Sequence, residues 1–273
     1  MNIFNKIAFI GAGAMSEAII AGVLNKGFLN AEQIFVTNRS NKERLSYMQE
    51  RYQIQCVQDR EEAVQDANVI ILSMQPFDLK AAVQSLKNSI SSNQLIISVA
   101  AGVSTDYISS LLNLDAPIIR ANPSMLAFIG HSATSIAKGI TATDEHLAIG
   151  VTLFQTIGKT VVSEEADMHI VTGLAGSGPA YIYYLAEAME KSAIELGLNE
   201  NIATELISQT FLGAGKMLQQ SGDSAKELKE KVISPEGTTE AGINSLIDYK
   251  FEKIVYECIK SARNRSVELG KSM

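Results

Sequence analysis

The 273-residue sequence has no tryptophan, two cysteines, three histidines and five prolines. Two thiols, Cys56 and Cys258, are too few for the disulfide framework of a small secreted protein. They read as reduced thiols in a cytosolic chain. His131, His146 and His169 show no H-E-x-x-H or C-x-x-C spacing, so no metal site is expected. No run of about 18 apolar residues exists, which excludes a membrane-spanning helix. Lys6 precedes an apolar stretch that carries Glu17, a poor match to a signal peptide. Positive charge is in deficit, with 23 Lys and Arg against 30 Asp and Glu, a net charge of -7. An acidic chain does not suit nucleic acid as a main partner, although a small basic pocket for an anionic cofactor remains possible. There is no internal repeat and no G-x-S-x-G elbow. Gly215-Lys216-Met217 lacks the Ser or Thr of a P-loop.

What is present is an ordinary globular composition, 46% hydrophobic and 19% charged, with length for one large or two modest domains. Short Ile- and Val-rich runs recur at 6–10, 33–37, 68–73, 94–99 and 117–121. Amphipathic segments lie between them at 15–26, 41–52, 60–65, 78–88 and 105–111. Runs with little alternation belong to strands buried on both faces, so the order predicts an α/β, Rossmann-type doubly wound parallel sheet. Strands at 132–137 and 159–162, with a helix at 144–155, extend it. Beyond 163 helical periodicity takes over, with helices at 181–196, 200–220, 224–231, 239–248 and 251–269. Ser177 is a candidate N-cap and Pro179 a first-turn residue of the 181–196 helix. The division is thus a dinucleotide-binding domain over 1–163 and an all-α domain over 164–273. The 181–196 helix is apolar around much of its surface, which suggests burial between subunits. Burial within one subunit is the alternative.

Gly11-Ala12-Gly13-Ala14-Met15-Ser16 follows a predicted strand and opens a predicted helix, the setting of a pyrophosphate-binding turn. Gly11 permits the turn and Gly13 the close approach of backbone to phosphate. Ser16 stands where Gly or Ala is usual. A βα turn without a ligand is the plainer alternative. The second strand ends in Thr37-Asn38-Arg39-Ser40, with no carboxylate for ribose hydroxyls. Arg39 suits a 2′-phosphate, so NADPH is expected over NADH unless Arg39 is only a solvated surface charge. Ser73-Met74-Gln75-Pro76 and Ala100-Ala101-Gly102 lie at later strand ends, where open sheets bind ligands, although alone they also read as ordinary strand–helix turns.

Thr172-Gly173-Leu174-Ala175-Gly176-Ser177-Gly178-Pro179-Ala180-Tyr181, followed by SPEGTTEAG at 234–242, closely resembles the pyrroline-5-carboxylate reductase family. The resemblance spans about 6–269. It implies reduction of the cyclic imine 1-pyrroline-5-carboxylate to L-proline with NADPH or NADH. It also implies a Rossmann domain, a helical domain that interlocks two subunits of a homodimer, and larger assemblies of dimers. Active sites would form where the Rossmann domain of one subunit meets its partner's helices. Carried over, Gly11 to Ser16 would hold the pyrophosphate, and Asn38 and Arg39 the adenosine end. Met74, Gln75, Pro76, Ala100 and Ala101 would line the nicotinamide side. Ser234, Gly237, Thr238 and Thr239 would bind substrate, with Thr239 hydrogen-bonding the imine nitrogen as the catalytic residue. Without the family, helix capping is the plainer role for both threonines. Gln75 replaces a usual lysine, Ala121-Asn122-Pro123-Ser124-Met125 a usual M-P-N-T-P, and Glu236 a usual glycine. Asp59 falls where an asparagine near the adenosine is common. Competing readings are a non-catalytic NADP-binding paralogue, a reductase of a related imine or keto acid, and a hydroxy-acid dehydrogenase. The last lacks its lysine, since Tyr181-Ile182-Tyr183-Tyr184 is followed by none before Lys191.

Overall fold

A computed structural model describes residues 5–271. The strands are β1 (Ile7–Ile10), β2 (Ile34–Thr37), β3 (Gln55–Val57), β4 (Val69–Leu72), β5 (Leu95–Ser98), β6 (Ile118–Asn122), β7 (Ser132–Lys138) and β8 (Gly158–Val162). They form one sheet in the order β3-β2-β1-β4-β5-β6-β7-β8. Every pair is parallel except β6 with β7. That exception corrects the all-parallel expectation. The link from Asn122 to Ser132 holds only a 3-10 turn, Met125–Ile129, too short for a parallel crossover. The strand β3 was not expected from the sequence.

The helices are α1 (Ala14–Asn25), α2 (Lys42–Tyr52), α3 (Arg60–Val64), α4 (Pro76–Leu86), α5 (Thr105–Leu112) and α6 (Asp144–Gln155). They continue as α7 (Met168–Val171), α8 (Gly178–Glu195), α9 (Glu200–Gln220), α10 (Ala225–Val232), α11 (Thr238–Asp248) and α12 (Phe251–Lys271). Strand residues alternate between two cores. Ile7, Phe9, Ile34, Val36 and Ile71 pack with Ile19, Ile20 and Phe154 on one face. Ala8, Ile10, Ile70, Leu72 and Ile96 pack with Leu79, Val83 and Ile108 on the other. Burial on both faces explains why the runs read as continuous Ile and Val.

The expected cap at Ser177 is not formed. Its backbone is helical, at φ -88° and ψ -17°, and its N–H donates to the Thr172 carbonyl at 2.9 Å. A π-helical turn over Thr172–Gly176 carries the chain from α7 into α8, so no free helix start exists there for a serine to cap.

Two compact units divide the described residues, one of 5–179 with 260–271, the other Ala180–Ile259. Residues 164–179, which the sequence groups with the helical part, pack in the first unit. In that unit the end of α12 meets the turn after β5. A Cβ on Gly270 would lie 2.4 Å from the Gly102 carbonyl oxygen. Nearby, His169 Nδ1 is 2.9 Å from Ser266 Oγ. The buried Arg120 guanidinium faces Glu165 at 3.7 Å, and Glu165 accepts from Thr105 N at 2.8 Å. In the second unit Ala203 is the one buried residue.

Gly158 has φ 152°, and a Cβ there would fall 2.1 Å from the Ser132 carbonyl oxygen of the paired strand. Backbone cannot yield as a side chain does, so Gly158→Ala should cost more than ~2 kcal/mol in urea unfolding. An unchanged midpoint would contradict this packing. Burial, with Arg120 and Arg263 nearby, holds the His169 imidazole below its ordinary value. Its contribution to stability is therefore whole above an unfolded value of about 6.5 and lost as pH falls from there towards the folded value. The stability gap between wild type and His169→Asn should narrow between about pH 8 and pH 5. A gap that stays constant or widens would contradict the shift.

Candidate active site

The turn after β1 is locked from beneath. Gly11 has φ 121°, and a Cβ there would approach the Ser73 carbonyl oxygen to 2.9 Å, so no side chain fits. Its N–H donates to the Thr37 carbonyl at 3.0 Å. Ser16 is fully buried, and its hydroxyl hydrogen-bonds with the Gly11 carbonyl and with Ser73 Oγ, each at 2.7 Å. Serine at the third fingerprint position thus ties the turn to β4, and its side chain is not available to a ligand. Gly13 occupies the N-cap of α1 with no side-chain cap, which leaves first-turn N–H groups for an anion.

Behind the turn, Arg44 Nε donates to the Ala12 carbonyl at 2.8 Å, and its Nη2 pairs with Glu17. Tyr52 and Tyr47 donate to the same carboxylate, at 2.9 and 3.1 Å. Burial alone would raise the Glu17 carboxyl, but hydrogen bonds from Arg44, Tyr52 and Tyr47 outweigh it and hold it below its ordinary value. This brace holds the Ala12 carbonyl in place.

A cleft of about 250 Å³ opens at the carboxyl ends of β1, β2 and β4. Gly11, Ala12, Gly13, Asn38, Arg39, Met74 and Gln75 line it, among the residues the sequence singles out. Ser40 and Ser73, from strand-end loops that the sequence marks, also line it, as do Arg60 and Asp78, which sequence reasoning missed as site residues. Asn38 Oδ1 accepts from the N–H groups of Ser40 and Asn41, at 3.2 and 3.1 Å, which shapes the loop around Arg39. Arg39 Nη1 lies 2.9 Å from Asp78 Oδ1. Ala14, Met15 and Ser16 form the first turn of α1, and Pro76 is the first residue of α4 behind an uncapped Gln75. Ala100 and Ala101 follow β5; Ala100 is buried and Ala101 half-buried. Asp59 does not face this cleft. It caps α3, accepting from Glu61 N at 2.9 Å, and lines a separate acidic cavity of about 710 Å³ with Glu61, Glu62 and Asp66. Its neighbour Arg60 takes the place in the cleft.

In the second unit, Ser234 to Gly237 make the turn into α11, with Gly237 N donating to the Ser234 carbonyl at 2.9 Å. Gly237 is the N-cap and no side chain caps this helix, so neither Thr238 nor Thr239 plays the capping role. Thr238 is exposed and Thr239 half-buried. Glu236 has φ 57°, a conformation that favours glycine, and its N–H donates to Glu240 Oε2 at 2.8 Å. Glu236 is exposed.

Burial pushes the Cys56 thiol up to about 11, which leaves it a poor nucleophile at neutral pH. Among the described residues no group of His, Cys, Asp and Glu could hold a metal ion. No helix among them is long and apolar enough to cross a membrane.

Residues 165–269 match the family model for pyrroline-5-carboxylate reductase dimerisation, and residues 6–102 the model for NADP oxidoreductase, coenzyme F420-dependent. Pyrroline-5-carboxylate reductase 2 of Bacillus subtilis is 40% identical over 97% of this chain and 95% of its own. The structure of a pyrroline-5-carboxylate reductase from Coxiella burnetii superposes with a TM-score of 0.90 at 31% identity, covering 97% of this chain and 98% of that one. A Plasmodium falciparum pyrroline carboxylate reductase with NADP bound shares the fold, with a TM-score of 0.88 at 23% identity over 99% of both chains.

Replacing Arg44 by Met should leave Glu17 buried without its cation and the Ala12 carbonyl without its donor. A stability loss of ~3 kcal/mol is expected, together with weaker NADPH binding measured by nucleotide fluorescence. Unaltered affinity in the folded variant would show that the brace does not shape the turn.

Proposed function

The chain belongs to the pyrroline-5-carboxylate reductase family, and we propose that it reduces 1-pyrroline-5-carboxylate to L-proline with NADPH, with Thr239 as the catalytic residue. One observation carries the residue assignment: α11 starts at an uncapped Gly237 with Thr238 and Thr239 beside its free N–H groups. Such a terminus suits the substrate carboxylate, because orphan donors and the helix dipole both favour an anion. Ser234 and Gly237 shape the turn that presents it. The Thr239 hydroxyl accepts the ring-nitrogen proton in a hydrogen bond. That contact fixes the orientation of the imine and holds the proton at nitrogen as the amine forms.

NADPH, when bound, supplies the hydride for the imine carbon. This chain's own residues fit it. The glycine-only turn at Gly11, the uncapped α1 and the two cleft arginines suit a pyrophosphate and a phosphorylated ribose. Met74, Gln75, Pro76, Ala100 and Ala101 border the nicotinamide side.

The working molecule is a homodimer joined through the C-terminal helices. In the second unit Ile182, Tyr183, Tyr184, Leu185, Met189 and Leu196 are exposed, and a single alanine is buried. That much apolar surface calls for a second copy. The substrate and dimerisation domain begins at residue 164, next to the start of the dimerisation match at 165. Its place is the cytoplasm, in keeping with two free thiols.

The test is oxidation of NADPH by purified protein given 1-pyrroline-5-carboxylate, followed by its reduced-nicotinamide absorbance. Thr239→Ala should lower kcat about 100-fold while NADPH affinity stays near that of wild type. Wild-type turnover in the variant would remove Thr239 from the mechanism. No turnover by wild-type protein that binds NADPH would overturn the activity.

A further inference from the structure

The carboxylate that β2 does not provide reaches the cleft from another element. Asp78 is the third residue of α4 and accepts from Arg39 Nη1 at 2.9 Å. The pair is wet, with Arg39 68% and Asp78 33% exposed, so it can exchange partners at little cost. Arg60 differs. Its Nη1 donates to Ser85 Oγ at 3.1 Å, and Ser85 in turn donates to the Ala82 carbonyl at 2.8 Å. Among the described residues no carboxylate pairs with Arg60. The cleft thus holds one neutralised guanidinium and one that is tethered and uncompensated.

We propose that Asp78 sets this chain's choice between NADPH and NADH, with Arg60 as the fixed cation for the 2′-phosphate. The proposal rests on the cofactor reading above and assigns the selectivity to residues outside the fingerprint. A 2′-phosphate must take Arg39 from Asp78 and then stand near a like charge. A ribose 2′-hydroxyl meets no such obstacle and can donate to Asp78 where it lies. Asp78 therefore narrows the preference for NADPH, and Arg60 supports it.

Calorimetric titration of the full-length chain with adenosine 2′,5′-bisphosphate and with AMP separates the 2′-phosphate from everything else on the cofactor. Wild type should bind the bisphosphate more tightly. Asp78→Asn should widen that ratio about fivefold, and the gain should shrink as salt is raised. Arg60→Gln should narrow the ratio about tenfold with AMP affinity unchanged. NADPH and NADH titrations should follow the same order. An unaltered ratio in folded Asp78→Asn and in Asp78→Ser, where wild type discriminates, overturns the proposal alone. A wild type that does not distinguish the two fragments overturns the NADPH reading, and this proposal with it.

Discussion

A helix that begins without a cap must find donors' partners elsewhere, and that constraint organises this molecule. Side chains close the N-termini of α2, α3, α5, α6, α9 and α10, through Asn41, Asp59, Ser104, Thr143, Asn199 and Ser224. Four starts are left without one: α7, which runs on from the 3-10 turn Glu165–Asp167, and α1 behind Gly13, α4 behind Gln75 and α11 behind Gly237, which follow loops. A missing cap sacrifices about 1 kcal/mol. The three that follow loops are the turns proposed above for pyrophosphate, nicotinamide and substrate, where an anion or a polar ligand can replace the cap. Stability forgone in the free protein returns as binding energy.

Open ends work only if the surrounding backbone holds still. The first unit supplies rigidity by direct backbone contact, Gly11 against Ser73 and Gly102 against the last turn of α12. Polar braces add to it: Ser16 to Gly11 and Ser73, Arg44 to Ala12, Glu165 to Thr105. The second unit has no core of its own beyond Ala203. Burial of its exposed apolar residues therefore falls to the partner copy. The substrate turn proposed above lies on this unit.

How much of this the sequence discloses depends on how local each feature is. Buried strands β1, β2, β4, β5 and β6 show as Ile and Val runs because both faces are covered. The three-residue β3, Gln55–Val57, lies at the sheet edge with no residue buried, and it carries no such signal. The glycine turn at Gly11 is legible because steric exclusion by Ser73 demands that residue. Ser177 misleads because a cap and a residue following a π-helical turn share composition, and only the upstream α7 tells them apart. The roles proposed for Thr238 and Thr239 have no local signal and come only from the family resemblance. Asp78 and Arg60 escaped because a search at the end of β2 cannot find side chains delivered by α4 and α3. Alignment with the family points to Asp59, but the chain turns its neighbour Arg60 into the cleft.

The chain's overall charge of -7 points the wrong way for a protein whose cofactor and substrate are both anions. Distance resolves the conflict. Charges beyond about 8 Å are largely screened at physiological ionic strength, so the potential at the cleft is set by the few groups that line it. Acidic residues are placed elsewhere, as in the cavity of Asp59, Glu61, Glu62 and Asp66. The ligand side carries Arg39, Arg60 and the open end of α1, with Asp78 as the one opposing charge. Net charge then governs solubility, while two guanidinium groups, one carboxylate and a helix terminus govern recognition. A single substitution among those groups changes the local balance by a large fraction, which makes selectivity among nucleotides more easily altered than the reaction itself.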